Sequence, residues 1–140
     1  MFAALPLLAI PVLAYNILAL TLSGGLSAVD AQGRLTAELF RIHMTSHIDW
    51  VISLGDVLLA ASLVVLFIEL LKSTNSRRGA IINHSLSMLL FIVCLIEFLL
   101  APACATSTFF LVTLMVLLDV LAGFIVSIVA SRRDMEFSSD

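Results

Sequence analysis

Three long apolar runs follow one another through the second half of the chain, and they restrict the fold more than any other feature. They cover residues 50–72, 80–102 and 108–131. An α-helix needs ~20 such residues to cross ~30 Å of hydrocarbon. In lipid each segment must satisfy its own backbone hydrogen bonds, and a helix does this within one segment. The runs therefore predict three transmembrane helices.

A fourth apolar run covers residues 2–22 and contains two prolines, Pro6 and Pro11. A signal peptide is the competing interpretation, because residues 25–28 resemble a cleavage site. However, the run has no Lys- or Arg-bearing start and is longer than the apolar core of a usual signal peptide. We therefore expect another transmembrane helix, bent near Pro11.

The connection at residues 23–49 is the only long polar one. Leu35, Leu39 and Ile42 recur there at helical spacing with charged residues between them. This pattern predicts a short external amphipathic helix at about residues 34–44. The other connections are short, which makes consecutive helices antiparallel neighbours. The expected fold is an all-α integral membrane protein, an up-down bundle of four transmembrane helices in a single membrane domain.

Composition excludes several classes of function. Hydrophobic residues make up 61% of the 140 residues and charged residues 12%, with a mean hydropathy of +1.17. Soluble domains are less apolar, so little of the chain is left for a soluble domain. No basic stripe is present, which argues against nucleic acid as a partner. No nucleophile elbow, phosphate-binding loop or cysteine ligand cluster appears, so we expect no enzyme activity.

The basic residues predict an orientation. Lys72, Arg77 and Arg78 lie in one short connection, and Arg132 and Arg133 follow the last run. Four spans place both groups on the same side, which the positive-inside rule makes cytoplasmic. Both termini are then cytoplasmic and the loop at residues 23–49 is external.

Ionisable side chains lie inside the apolar runs, where lipid makes them costly. These are Asp56, Glu69, His84, Glu97 and Asp119. Such residues usually face a bundle interior or a water-filled cavity. Each run also carries a stripe of small and polar residues at helical spacing: Gly55, Ser62 and Glu69; Asn83, Ser87, Cys94 and Glu97; Asp119, Gly123 and Ser127.

Two interpretations of these ionisable residues remain open. They could form a proton or cation path, or they could be protonated or hydrogen-bonded groups that hold the helices in register. The second is favoured, because no internal repeat or pore motif accompanies the acids. From their positions along the runs, Glu69 and His84 are expected to be neighbours across the connection between two helices.

A metal site is a further hypothesis. His43 and His47 stand at i and i+4, a spacing that on a helix lets both bind one ion, and Asp49 follows closely. Met44 occupies the position where a zinc-protease motif has glutamate. Interfacial anchoring by the histidines is the favoured alternative, and no other cofactor is expected.

The run from Ile82 to Asp134 resembles a class of small, uncharacterised, four-span bacterial inner-membrane proteins. The resemblance is carried by residues 83–85, Glu97, residues 105–110, Asp119 and residues 132–134. It implies a bacterial inner-membrane location and no particular activity. We expect a non-enzymatic membrane protein that acts by association, as an accessory subunit of a larger membrane complex or as a homo-oligomer. The alternative is a small proton or cation transporter or channel.

Overall fold

A computed structural model describes residues 5–21, 27–73 and 77–136. Most of this part is helical, with one small antiparallel sheet. In chain order the elements are α1 (Ala9–Thr21), α2 (Ala28–Leu35), β1 (Glu38–His43), β2 (Asp49–Ser53), α3 (Leu54–Ser73), α4 (Arg77–Leu100), a 3-10 turn (Pro102–Cys104) and α5 (Ser107–Glu136).

Three of the helices are long and apolar enough to cross a membrane. Their apolar stretches are Leu54–Lys72, Ile82–Leu100 and Ser107–Val129. The three helical runs predicted in the second half of the chain are therefore confirmed in type. The first of them starts later than expected, because residues 50–53 belong to β2 rather than to α3.

The first helix is shorter than expected. α1 has 13 residues, which rise ~20 Å against the ~30 Å of a hydrocarbon core. Residues 2–4 and 22 of the predicted span lie outside the described residues. Pro11 lies in the first turn of α1, where a helix does not need the missing N–H. The bend expected near Pro11 is thus wrong: the proline stands near the start of the helix.

The amphipathic helix expected at about residues 34–44 is also wrong. A helix does precede this region, but α2 ends at Leu35, and β1 and β2 form an antiparallel hairpin beyond it. Leu35, Leu39 and Ile42 fit a helical period, yet β-branched and aromatic residues also alternate along residues 38–53. Residues of this kind fit a pleated surface better than a helix. His47, in the turn of the hairpin, has a φ of 60°.

α5 is the central element of the bundle. It packs mainly against α4 and α3, and α1 covers the side where α3 and α5 meet. Its buried side chains recur three or four residues apart: Phe109, Val112, Val116, Asp119 and Val120. The predicted inward stripes are largely buried in α3 and α4, at Ser62, Glu69, Asn83, Ser87 and Cys94.

One glycine marks a close approach where α2, α3 and α5 meet. A Cβ atom at Gly55 would lie 3.1 Å from the Leu35 carbonyl oxygen and 3.2 Å from Thr108 Oγ1. The start of α3 is therefore held tightly against the end of α2 and the start of α5. The hairpin that leads into α3 is fixed at this end of the bundle.

Candidate functional site

Glu69, near the end of α3, is completely buried and fully engaged. Its side chain has 0% exposure. One carboxylate oxygen accepts a hydrogen bond of 2.7 Å from the Leu7 backbone N–H. The other accepts from the Asn83 side-chain amide and lies 3.4 Å from Lys72 Nζ. Lys72 and two further hydrogen-bond donors therefore compensate the buried Glu69 carboxylate.

Lys72 completes this group. Its Nζ atom donates to the Leu5 carbonyl oxygen at 3.0 Å and to Asn83 Oδ1 at 3.2 Å, besides its contact with Glu69. Together with Leu5 and Leu7, these side chains therefore join three parts of the chain: the segment before α1, the end of α3 and the first half of α4. We call Glu69, Lys72 and Asn83 the Glu69 cluster. Its geometry is that of a structural clamp.

Asp119 lies near the Glu69 cluster, in the middle of α5, and is buried. Its carboxyl group lies beside Ser87, and Glu69, His84 and Lys72 are near enough to act on it through their charges without direct contact. The Ser87 hydroxyl oxygen and the His84 Nε2 atom are both buried, and neither has a well-formed hydrogen bond within the described part of the chain. Ser87 faces the Asp119 carboxyl without ideal hydrogen-bond geometry. We call Ser87, His84 and Asp119 the Asp119 site.

Gly123 explains how the His84 ring fits between α4 and α5. The imidazole lies directly over Gly123, so a Cβ atom there would overlap the ring. On the other side, the Phe124 ring meets it edge-on at a centroid distance of 4.8 Å. The histidine is thus confined by its neighbours while its Nε2 atom stays without a partner in the described residues.

Glu97 belongs to a separate group at the opposite end of α4. The Asn16 amide donates to Glu97 Oε2 at 3.0 Å, and Cys104 Sγ lies 3.9 Å from Asn16 Oδ1. Nearby, the Tyr15 hydroxyl donates to the Ala103 carbonyl oxygen at 2.9 Å. These contacts fasten α1 to the turn between α4 and α5.

Cys104 lies buried in that turn. Burial raises the pKa of its thiol to about 11, and the charge of Glu97 adds to the effect. A thiol in this state is protonated at neutral pH, and the thiolate is the form that attacks electrophiles and binds metals. Cys94 is also buried and reduced. Both buried cysteines pack as small apolar side chains.

Asp56 does not join the interior acids. It is exposed at the start of α3, where its carboxylate accepts hydrogen bonds from the Ser53 backbone N–H and hydroxyl at 2.9 and 2.7 Å. Ser53 Oγ in turn lies 3.3 Å from the Asp56 backbone nitrogen. This reciprocal arrangement caps the first turn of a helix. The expectation that Asp56 faces the bundle interior is wrong.

His43 and His47 do not share the face of a helix, as the metal hypothesis required. His43 ends β1 opposite Asp49, and its Nδ1 atom lies 2.7 Å from Asp49 Oδ1. His47 lies in the turn, with the two ring centroids 6.2 Å apart. Among residues 5–21, 27–73 and 77–136, no group of three His, Cys, Asp or Glu side chains is arranged to hold a metal ion.

The structure brings Glu69, His84 and Asp119 to one region and keeps Glu97 and Asp56 apart from it. The expected contact across the α3–α4 connection runs from Glu69 to Asn83, the residue before His84. Sequence reasoning missed Lys72 as the cation beside Glu69, although its i, i+3 spacing is visible. It also missed the pairing of Asn16 with Glu97. No protein-family model, curated protein or solved structure matches the chain.

Proposed function

We propose that this chain is a non-enzymatic integral membrane protein that acts by associating with other membrane-embedded helices, either a second copy of itself or a larger complex. Glu69 supports the proposal. Its hydrogen bonds hold three parts of the chain together and occupy both carboxylate oxygens, so these oxygens are not available to a transported ion. Glu97 and Asp56 are likewise engaged with Asn16 and Ser53. Three of the five ionisable groups thus have structural partners.

An open apolar groove on α3 is the observation that carries the proposal. It has a volume of about 410 Å³ and is lined by Leu63, Val64, Leu66, Phe67 and Leu70. Helices in a bilayer associate through van der Waals packing, because lipid already solvates their apolar side chains. A groove of this size accepts side chains of a neighbouring helix.

We further propose a four-span arrangement in a bacterial inner membrane, with α1 as the fourth membrane-embedded segment and both termini cytoplasmic. The bacterial inner membrane is what the sequence of residues 82–134 leads us to expect, and the arginines of the two basic groups support the orientation. Their side chains at residues 77–78 and 132–133 lie outside the described part. A reporter after Asp140 is expected to behave as cytoplasmic and one inserted at Gln32 as external. An external reporter at Asp140 would contradict the four-span arrangement.

The mass of the purified protein tests association. The chain alone has a mass of 15.1 kDa. In a mild detergent we expect a particle that contains two or more copies, or this chain with a stoichiometric second subunit. Detergent and lipid are subtracted by light scattering with absorbance and refractive-index detection. A lone 15.1 kDa monomer without a companion would contradict the proposal.

A second candidate function is proton or cation movement, and the Asp119 site specifically favours it. A carboxyl, an imidazole and a hydroxyl lie together in the interior, and two of them have buried polar atoms that lack partners in the described residues. Groups of this kind can exchange protons. The test is pH-driven proton flux in liposomes: flux in the parent that disappears in Asp119→Asn would favour transport over association.

A further inference from the structure

The β1–β2 hairpin has two chemically different faces. Residues directly opposite each other in an antiparallel pair lie on the same face. Phe40 pairs with Ile52 and Ile42 pairs with Trp50, so these four side chains share one apolar face. The strand register places Arg41 with Val51 and His43 with Asp49 on the other face. The register therefore separates the apolar side chains from the charged ones, with Val51 as the apolar residue on the charged face.

Ion pairs connect the charged side chains of the polar face. Arg41 donates to both carboxylate oxygens of Glu38, at 3.0 and 2.9 Å. The third guanidinium nitrogen, Nη1, lies 3.7 Å from Asp49 Oδ2, and the other oxygen of Asp49 contacts His43. These groups are exposed and satisfy one another. This face is suited to water.

The apolar face is open, apart from its base. Phe40, Ile42 and Trp50 are about half exposed, whereas Ile52 is buried. The apolar face is therefore covered only at its base. An isolated two-stranded hairpin is marginally stable in water, so an open apolar face on such a hairpin needs a cover.

The position of the hairpin indicates what covers it. The Leu54 N–H donates to the Ala37 carbonyl oxygen at 3.2 Å, which ties the hairpin base to the start of α3. β2 passes without a break into the apolar stretch that starts at Leu54. The hairpin thus lies at the level where α3 leaves the apolar layer. Tryptophan is enriched at this level of membrane proteins.

We propose that the apolar face of the hairpin, formed by Phe40, Ile42, Trp50 and Ile52, lies on the bilayer at the boundary between headgroups and acyl chains. The charged face points to water. The hairpin takes the place of an interfacial amphipathic helix, which divides its side chains in the same way. This proposal rests on the proposed insertion of the helices and adds a lipid-binding surface to it.

Trp50 reports on this directly, because it is the only tryptophan in the chain. The parent protein is reconstituted in phosphatidylcholine vesicles whose acyl chains carry bromine near the headgroups, and in matched unbrominated vesicles. Bromine in the lipid quenches a tryptophan at that depth, and iodide in the buffer quenches one in water. We expect strong quenching by the brominated lipid and weak quenching by iodide.

Two variants provide the controls in a Trp50→Phe background. Val51→Trp places the reporter on the charged face, and it should be quenched several-fold more by iodide than Trp50. Leu121→Trp places it on the exposed side of α5, and lipids brominated deep in the acyl chain should quench it. If Leu121→Trp responds to deep bromine while Trp50 behaves like Val51→Trp, the hairpin proposal is wrong and insertion stands.

Two other outcomes would overturn the hairpin proposal, and one would support it. Protection of Trp50 from both quenchers means that protein covers the face, which overturns the lipid contact. Failure of deep bromine to quench Leu121→Trp overturns insertion of α5 and the hairpin proposal with it. Quenching of Trp50 by shallow bromine, with Val51→Trp open to iodide, supports the proposal.

Discussion

Glu69 and Asp119 are both buried carboxylic acids in the same bundle, and they differ in how many partners they have. Glu69 accepts from a backbone N–H and an amide and has a lysine beside it. Asp119 faces Ser87 and His84, which keep buried polar atoms without partners in the described part of the chain. The two acids are 0% and 4% exposed, so burial does not distinguish them.

The difference lies in what a change of charge would do at each position. At the Glu69 cluster, loss of the carboxylate charge leaves Lys72, whose side chain is 28% exposed, without its partner of opposite charge. At the Asp119 site, no lysine contacts the carboxyl directly, and a neutral group of the same shape keeps the available contacts. Removal of one member of a buried ion pair is much more costly than removal of one hydrogen bond. The position of an acid within an apolar run of the sequence does not reveal which partners its carboxyl group has.

The largest expected effect follows from replacing each acid by its amide. Glu69→Gln should lower the free energy of unfolding by about 1.5–3 kcal/mol, because it removes the charge from the hydrogen bonds that the buried Glu69 carboxylate accepts and from its pair with the partly exposed Lys72. Asp119→Asn is the matched control and should stay close to the parent. Reversible unfolding in mixed SDS and detergent micelles measures both. Equal losses in the two variants would remove the distinction between the sites.

The next effect concerns the packing around His84. Gly123→Ala should cost about 1–3 kcal/mol, because the added methyl group overlaps the imidazole and forces it or α5 to move. Gly33→Ala is the control: nothing lies within 4 Å of the added group. Since alanine is the better helix former, Gly33→Ala should be neutral or stabilising. A neutral Gly123→Ala would contradict the described position of His84.

Truncation of Asp119 should have a smaller effect. Asp119→Ala removes the polar group and should cost about 0.6–2 kcal/mol, the usual contribution of a hydrogen bond between membrane helices. The same unfolding assay measures the change. A loss as large as that of Glu69→Gln would show that Asp119 has a closed set of partners. The contrast between the two acids would then be wrong.

The smallest effect is expected at the exposed hairpin. The hydrogen bonds from Arg41 lower the pKa of Glu38 below its ordinary value of 4.5. The contribution of this pair is therefore present above that value and is lost as the pH falls through the lowered pKa. Acidification should loosen the hairpin slightly, and Trp50 emission detects this. In Glu38→Gln, the part of the pH dependence of Trp50 emission that is due to the Glu38–Arg41 pair should disappear. An unchanged emission profile would contradict a role of this pair in holding the hairpin.

Much of the bundle could be predicted from the sequence, because long apolar runs and inward stripes are local patterns. The stripe of Gly55, Ser62 and Glu69 is buried as expected. Partners of the acids could not be predicted, since Leu7 is 62 residues from Glu69 and Asn16 is 81 from Glu97. The sequence predicts a helix at the hairpin because Leu35, Leu39 and Ile42 also fit a helical period.

Association through the α3 groove is tested most directly with mutants embedded in lipid. Leu63→Ala with Phe67→Ala opens the groove, whereas Leu121→Ala with Ile125→Ala removes an i, i+4 pair of exposed side chains on α5. Energy transfer between labelled chains, or between the chain and its companion subunit, is measured in bilayers at several protein-to-lipid ratios. We predict a lower associated fraction for the groove pair and a parental value for the α5 pair. Equal association in both pairs, or a parent that stays monomeric without a companion at every ratio, would contradict it.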